Sequence, residues 1–228
     1  MISSKRMLLG LAGFIAFGSF QASADVLAQY TFDDGLGGST LAAESVDPGI
    51  VANDVVLADF NLANLGDFSA LIGVDDVGPS LDLSQDFLSF TLDGGANTLN
   101  ISEVSFEWGL TDAPGFDFDV YLLSSATGFA TSNVISTSGA LSAASTATNP
   151  PGFAPFTLDV SVDTSGIAGL QGVSGPVEFR IYVTDSITSG PGHFIDDISV
   201  EGVAVPEPGS LALLGLGGLC LFRRRRSA

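Results

Sequence analysis

The chain has 228 residues, 46% of them hydrophobic and 14% charged, with 26 acidic residues against seven basic ones and a net charge of −19. The charges are unevenly spread: Lys5, Arg6 and Arg223 to Arg226 sit at the two ends, so residues 25–204 hold 25 of the acids, all but Glu207, and one base, Arg180, for a formal charge of −24. A body of this kind has no cationic surface to neutralise phosphates, which excludes nucleic acid as a partner and disfavours adhesion to anionic lipid.

At the N terminus, Lys5 and Arg6 precede an apolar run from Met7 to Phe17, followed by Ala22-Ser23-Ala24. A positive start, a short apolar stretch and a small-residue site predict a signal peptide over residues 1–24, handled by the Sec export machinery and cut after Ala24. The exported part then has to fold without disulfides, because the sole cysteine, Cys220, lies near the C terminus. His193 is the sole histidine, which rules out a multi-histidine metal site and any histidine-based triad not built on it.

From Asp25 onward the dominant signal is alternation. Val104-Ser105-Phe106-Glu107-Trp108, Phe116-Asp117-Phe118-Asp119-Val120, Phe156-Thr157-Leu158-Asp159-Val160 and Val177-Glu178-Phe179-Arg180-Ile181 each place apolar residues at every second position. Period two with one polar face predicts half-buried antiparallel strands. Shorter candidates are Leu27–Phe32, Val55–Phe60, Phe87–Leu92, Asn133–Thr137 and Ile195–Val200, with the longest loop at 138–155 and no helical period in the body. Strands in this number imply two packed sheets, so residues 25–203 are predicted to form an all-β, two-sheet β-sandwich of jelly-roll type.

Residues 204–228 are a third segment: Pro206-Glu207-Pro208, an apolar run from Leu211 to Phe222, then Arg223, Arg224, Arg225 and Arg226. The run spans about 18 Å as a helix, short of the roughly 30 Å of bilayer hydrocarbon, and Gly215, Gly217 and Gly218 weaken it further. It reads as a short membrane helix with its arginines held on the cytoplasmic side as a stop. The two prolines keep the approach extended, and an extended, uncovered segment outside a membrane suits a processing enzyme. The order and position of these parts resemble the PEP-CTERM sorting signal. That resemblance implies recognition of Pro206, Glu207 and Pro208 by an exosortase, removal of the tail, and a final location at the cell surface or outside it. Without it, the same tail reads as a plain C-terminal anchor that stays attached.

The body carries a second resemblance, through Tyr30-Thr31-Phe32-Asp33-Asp34-Gly35, Val104-Ser105-Phe106, Val177 to Tyr182 and Phe194 to Val200. It is similar to jelly-roll domains that precede such tails and, more distantly, to carbohydrate-binding and lectin-like sandwiches. The resemblance implies a structural calcium ion where the terminal strands meet, held by Asp33 or Asp34 and by Asp196 or Asp197; the alternative is solvated turn aspartates. Trp108 is in phase with Val104 and Phe106 and is expected in the core. Tyr121 and Tyr182 fall on the polar phase, with Arg180 on the face of Tyr182, which makes these three the candidates for a sugar platform against ordinary cross-strand pairing. A hydrolase would need two carboxylates across a cleft, but with this many acids a suitable spacing arises by chance. The function expected is that of an exported, non-catalytic surface or matrix protein, with exopolysaccharide a candidate partner. A carbohydrate-binding module is the alternative and a secreted hydrolase a third.

Overall fold

Alternation leaves each segment of the body with one apolar face that must be covered, and the computed structural model covers these faces by setting two antiparallel sheets against each other. It describes residues 24–33, 40–58, 70–72, 81–84, 87–110, 117–129, 136–137, 141–142, 156–185 and 193–206. The predicted leader up to Ser23, Asp34, most of the loop at 138–155 and the tail from Glu207, with its predicted membrane helix, lie outside the described residues. Among the described residues no helix is long and apolar enough to cross a membrane.

The strands are β1 (Asp25–Tyr30), β2 (Ser45–Val46), β3 (Val51–Ala52), β4 (Val56–Ala58), β5 (Ala70–Ile72), β6 (Phe87–Asp93), β7 (Asn97–Leu110), β8 (Asp117–Ser124), β9 (Ser136–Thr137), β10 (Leu141–Ser142), β11 (Phe156–Asp163), β12 (Pro176–Asp185) and β13 (His193–Pro206). One sheet has the order β11-β7-β13-β1-β2, with β5 also on β13. The other has the order β10-β8-β12-β6-β3, with β4 on β6 and β9 on β8. This is the two-sheet sandwich the alternation predicts. Its long strands, from β6 to β13, pass back and forth between the sheets as in a jelly roll.

The core is built from the inward phases of these strands. Val104, Phe106 and Trp108 of β7 are buried, as are Val177, Phe179 and Ile181 of β12 and Leu88, Phe90 and Leu92 of β6. Phe90 stacks on Phe179 with ring centroids 5.4 Å apart and meets Tyr30 from the opposite sheet at 5.5 Å. The Tyr30 hydroxyl donates to the Asn53 carbonyl at 2.8 Å, so the phenol is buried with its polar end satisfied.

Two strands, β7 and β13, are about twice as long as the segments that predict them. The Asp93-Gly94-Gly95-Ala96 segment is a tight turn in which the Gly95 amide donates to Asp93 Oδ1 at 2.8 Å and the Asn97 amide to the Gly94 carbonyl at 2.9 Å. β7 therefore starts at Asn97. β13 in turn continues past the predicted boundary between body and tail and ends at Pro206, which pairs with Asn97.

Candidate functional site

The Ile195-Asp196-Asp197-Ile198 segment lies in the middle of the first sheet, where β13 pairs with both β7 and β1. Its register with β7 shifts between Asp196 and Ser199. Ile195 and Ile198 both face the core three positions apart, so the aspartate pair contains one residue more than strict alternation allows. The extra residue makes a β-bulge, and Asp197 takes a left-handed φ of 49°, a conformation that aspartate and asparagine tolerate better than most residues. The Asp197 amide donates to Asp196 Oδ1 at 2.9 Å, while Asp196 itself is only 5% exposed. The doublet thus has a backbone role independent of any ion. Asp33 is exposed beyond the end of β1, and among the described residues no group of three or more carboxylates, histidines or cysteines is placed to hold a metal.

The register also assembles something that local reading misses. On the outer face, Asp159, Glu107 and Asp196 stand in one row across β11, β7 and β13, and Asp163, Glu103 and Glu201 in another. Between them runs a neutral row of Ser161, Ser105 and Ser199, and the Ser161 hydroxyl donates to Glu103 Oε1 at 2.7 Å. Like charges directly opposite one another destabilise a sheet. Burial, then the charges of Glu44 and Asp159, raise the Asp197 carboxyl above its ordinary value of 3.8.

A carboxyl whose pKa is raised by folding binds its proton more tightly in the folded state. Its cost to stability is therefore absent below the ordinary value and fully present above the raised one. Asp197→Asn keeps a residue type suited to the left-handed backbone and removes the charge. In metal-free buffer at neutral pH it is expected to raise the melting temperature by about 1–3 °C, after discounting for solvent screening, with the gain shrinking as salt is added. Calcium titration belongs in the same experiment. An ion on this carboxylate would reverse the order, stabilising the wild type and leaving the variant behind.

The second sheet carries the other candidates on its outer face. Tyr121 of β8 and Tyr182 of β12 are directly opposite each other, as a platform would require. Tyr182 is nevertheless only 1% exposed, which corrects the expectation that polar phase means an open ring. Phe87 covers it at 5.1 Å between centroids, and its hydroxyl donates to the Leu83 carbonyl at 3.2 Å. Tyr121 is half-buried.

Arg180 is clamped rather than offered. Its guanidinium lies 4.6 Å from the centre of the Phe87 ring and 4.1 Å from that of Phe129, donates from Nε to Glu178 Oε1 at 2.7 Å, and reaches the Tyr182 hydroxyl at 3.4 Å. Phe129 sits over it through a left-handed φ of 52°, next to Gly128 at 83°. Burial lowers the Arg180 pKa, but the hydrogen bonds and charge of Glu178 and Tyr182 outweigh it and the net shift is upward. Arg180→Met keeps the stem and removes the charge. It is expected to cost about 1–2 kcal/mol in urea denaturation, most of it from the two ring contacts, since the partly exposed ion pair contributes little. A midpoint equal to the wild type would mean that the clamp is unimportant for stability.

The processing candidates fall at one end of the first sheet. Ala24 is exposed immediately before β1, and Asp25 pairs with Gly202 of β13. Four residues past Gly202, Pro206 is exposed but still part of the strand, so the first proline of the triplet is extended, as predicted, yet paired rather than free. Glu207, Pro208 and Arg223 to Arg226 lie outside the described residues.

No match to the chain was found among curated proteins. Solved structures give loose likenesses. The K3 cleaved adhesin domain of Lys-gingipain from Porphyromonas gingivalis is 13% identical, with a TM-score of 0.36, over 78% of this chain and 99% of that one. The K1 cleaved adhesin domain of the same protein is also 13% identical, with a TM-score of 0.34, over 78% of this chain and 98% of its own. The CBM22-1 xylan-binding domain from Paenibacillus barcinonensis Xyn10C is 11% identical, with a TM-score of 0.28, over 79% and 96%. These likenesses are too loose to carry a function across. The tail is different: residues 204–226 match the family model described as the PEP-CTERM protein-sorting motif, so the chain carries a sorting signal that implies export and processing by an exosortase, a membrane enzyme.

Proposed function

We propose that the chain is an exported, non-catalytic component of the cell surface or extracellular matrix, delivered as one folded sandwich and released from its tail by an exosortase. The observation that supports this reading most is the position of the sorting motif, which starts within the last strand of the sandwich. The expected leader ends where β1 begins, and β1 lies beside β13, so leader and tail join the body at the same end. A body attached to one membrane by both termini, then cut free at each, needs that arrangement. Its strongly acidic surface suits a soluble matrix component, and exported polysaccharide is the partner proposed for it. The test is the intact mass of the protein recovered from the envelope and medium of a host that contains the exosortase. A species starting at Asp25 and ending close to Pro206 supports the reading, with added glycan mass pointing to matrix attachment. A species that keeps Arg223 to Arg226 makes the tail a retained anchor and overturns it.

Carbohydrate binding is the second reading, and the direct pairing of Tyr121 with Tyr182 beside Arg180 is what favours it. Because Tyr182 is covered, the stacking surface on this reading is Tyr121. Glycan-array binding lost in Tyr121→Ala would support it, and a silent array would retire it.

A further inference from the structure

From Ser199 to Gly202, β13 has a neighbour on each side: β1, whose register ends with Asp25 opposite Gly202, and β7. Beyond Gly202 only the pairing with β7 continues among the described residues, through Val203 with Asn100, Ala204 with Leu99, Val205 with Thr98 and Pro206 with Asn97. Strand ends paired on one side are where local opening starts. The exposure runs the same way: Gly202 is buried, Val203 and Ala204 are half-buried, Val205 is 38% exposed and Pro206 is exposed. The Thr98 hydroxyl reaches the Val205 carbonyl at 3.4 Å, a long and weak bond.

The β7 side of this pairing is fixed from elsewhere. Leu99 is fully buried and exchanges two backbone hydrogen bonds, both 2.9 Å, with Val173 on its other flank. Asn97 is tied to the Gly94 carbonyl by its amide at 2.9 Å and its side chain at 3.2 Å. If the two strands separate, the end of β13 must therefore be the part that moves. Opening that starts at Pro206 also has a natural stopping point. At Gly202 the second neighbour returns, the register shifts, and the backbone is packed so closely that an added Cβ would lie 2.9 Å from Leu27 Cδ1.

The sorting motif begins at residue 204, so three of its residues are sheet residues. An enzyme that grips Pro206 in an extended cleft needs the backbone on both sides of that residue, and here one side is taken by β7. We propose that Val203–Pro206 is a releasable strap: the membrane processing enzyme takes the Pro-Glu-Pro triplet only after these residues leave β7, so the folded sandwich limits its own release. This inference rests on the exosortase reading given above.

The test follows tail removal over time, by intact mass, in the full chain carrying Cys220→Ala and expressed with the enzyme. Thr98→Cys together with Val205→Cys locks the strap across a directly paired position. A short Gly-Ser linker of about four residues between Val205 and Pro206 frees the triplet, Pro206 included, while leaving Val203 to Val205 paired. Because rate scales with the fraction of competent molecules, the oxidised lock is expected to slow processing by about tenfold or more and to recover on reduction. The linker alone should speed processing several-fold, and lock and linker together should run at least as fast as the parent. A locked form processed at the parent rate overturns the strap, and would mean that the enzyme reads the open edge of β13 in place. An unchanged rate with the linker alone, or a block that persists when lock and linker are combined, also overturns it. A parent that keeps its tail sinks the exosortase reading, and this inference with it.

Discussion

Trp108→Ala is expected to cost about 3–5 kcal/mol, a large share of the roughly 5–15 kcal/mol that holds a domain folded. Trp108 is fully buried near the centre of the first sheet, on a strand paired on both sides, with Leu158 opposite on β11 and Ile195 on β13. Strands paired on both flanks cannot easily close over the missing ring, so most of the cavity would remain. With no cysteine in the body to form a disulfide, nothing covalent limits the consequence. Urea unfolding followed by circular dichroism measures the effect, because the substitution removes the only tryptophan and with it the fluorescence probe. Trp108→Phe, which keeps most of the apolar volume, should lose well under half as much. A loss below about 1 kcal/mol for the alanine variant would mean that this part of the sandwich is not closed around the ring.

Trp108 was legible in the sequence because strand phase is local. Val104, Phe106 and Trp108 fall on one side of any regular strand, and the other long segments obey the same rule. What alternation cannot supply is what lies over a face. Tyr182 is on the outer phase, yet it is buried because Phe87, far away in the chain, pairs opposite it. The Arg180 clamp depends on that pairing and on the left-handed turn at Gly128 and Phe129. The two acidic rows are equally non-local, since each needs the register of three strands from different parts of the chain. The Asp196-Asp197 doublet was visible, and its spacing of three between Ile195 and Ile198 was the available sign of a bulge. Pro206 is extended, as its residue type implies, but its pairing with Asn97 is non-local. Proline marks the end of a strand in most readings, but a terminal residue paired on one side can lack a donor and still hold the last place in a ladder.

Gly202→Ala is expected to be the most damaging small change at the junction of body and tail, at about 3 kcal/mol. The added carbon would overlap the Asn100 carbonyl oxygen and lie 2.9 Å from Leu27 Cδ1 and 3.1 Å from Ile101 Cα. Two of these three atoms are backbone, and Leu27 is fully buried, so the strain cannot be relieved by swinging a loose side chain aside. β13 would have to shift at the point where it is paired with both β1 and β7. Gly166 provides the control: its added carbon meets nothing within 4 Å, and Gly166→Ala should change stability by less than about 1 kcal/mol in either direction. Thermal melts of the two variants beside the wild type decide the matter. Equal melting temperatures for all three would mean that the sheet gives way at Gly202. The stopping point assigned to the strap would then be lost, and opening at Pro206 could run back into the centre of the sheet.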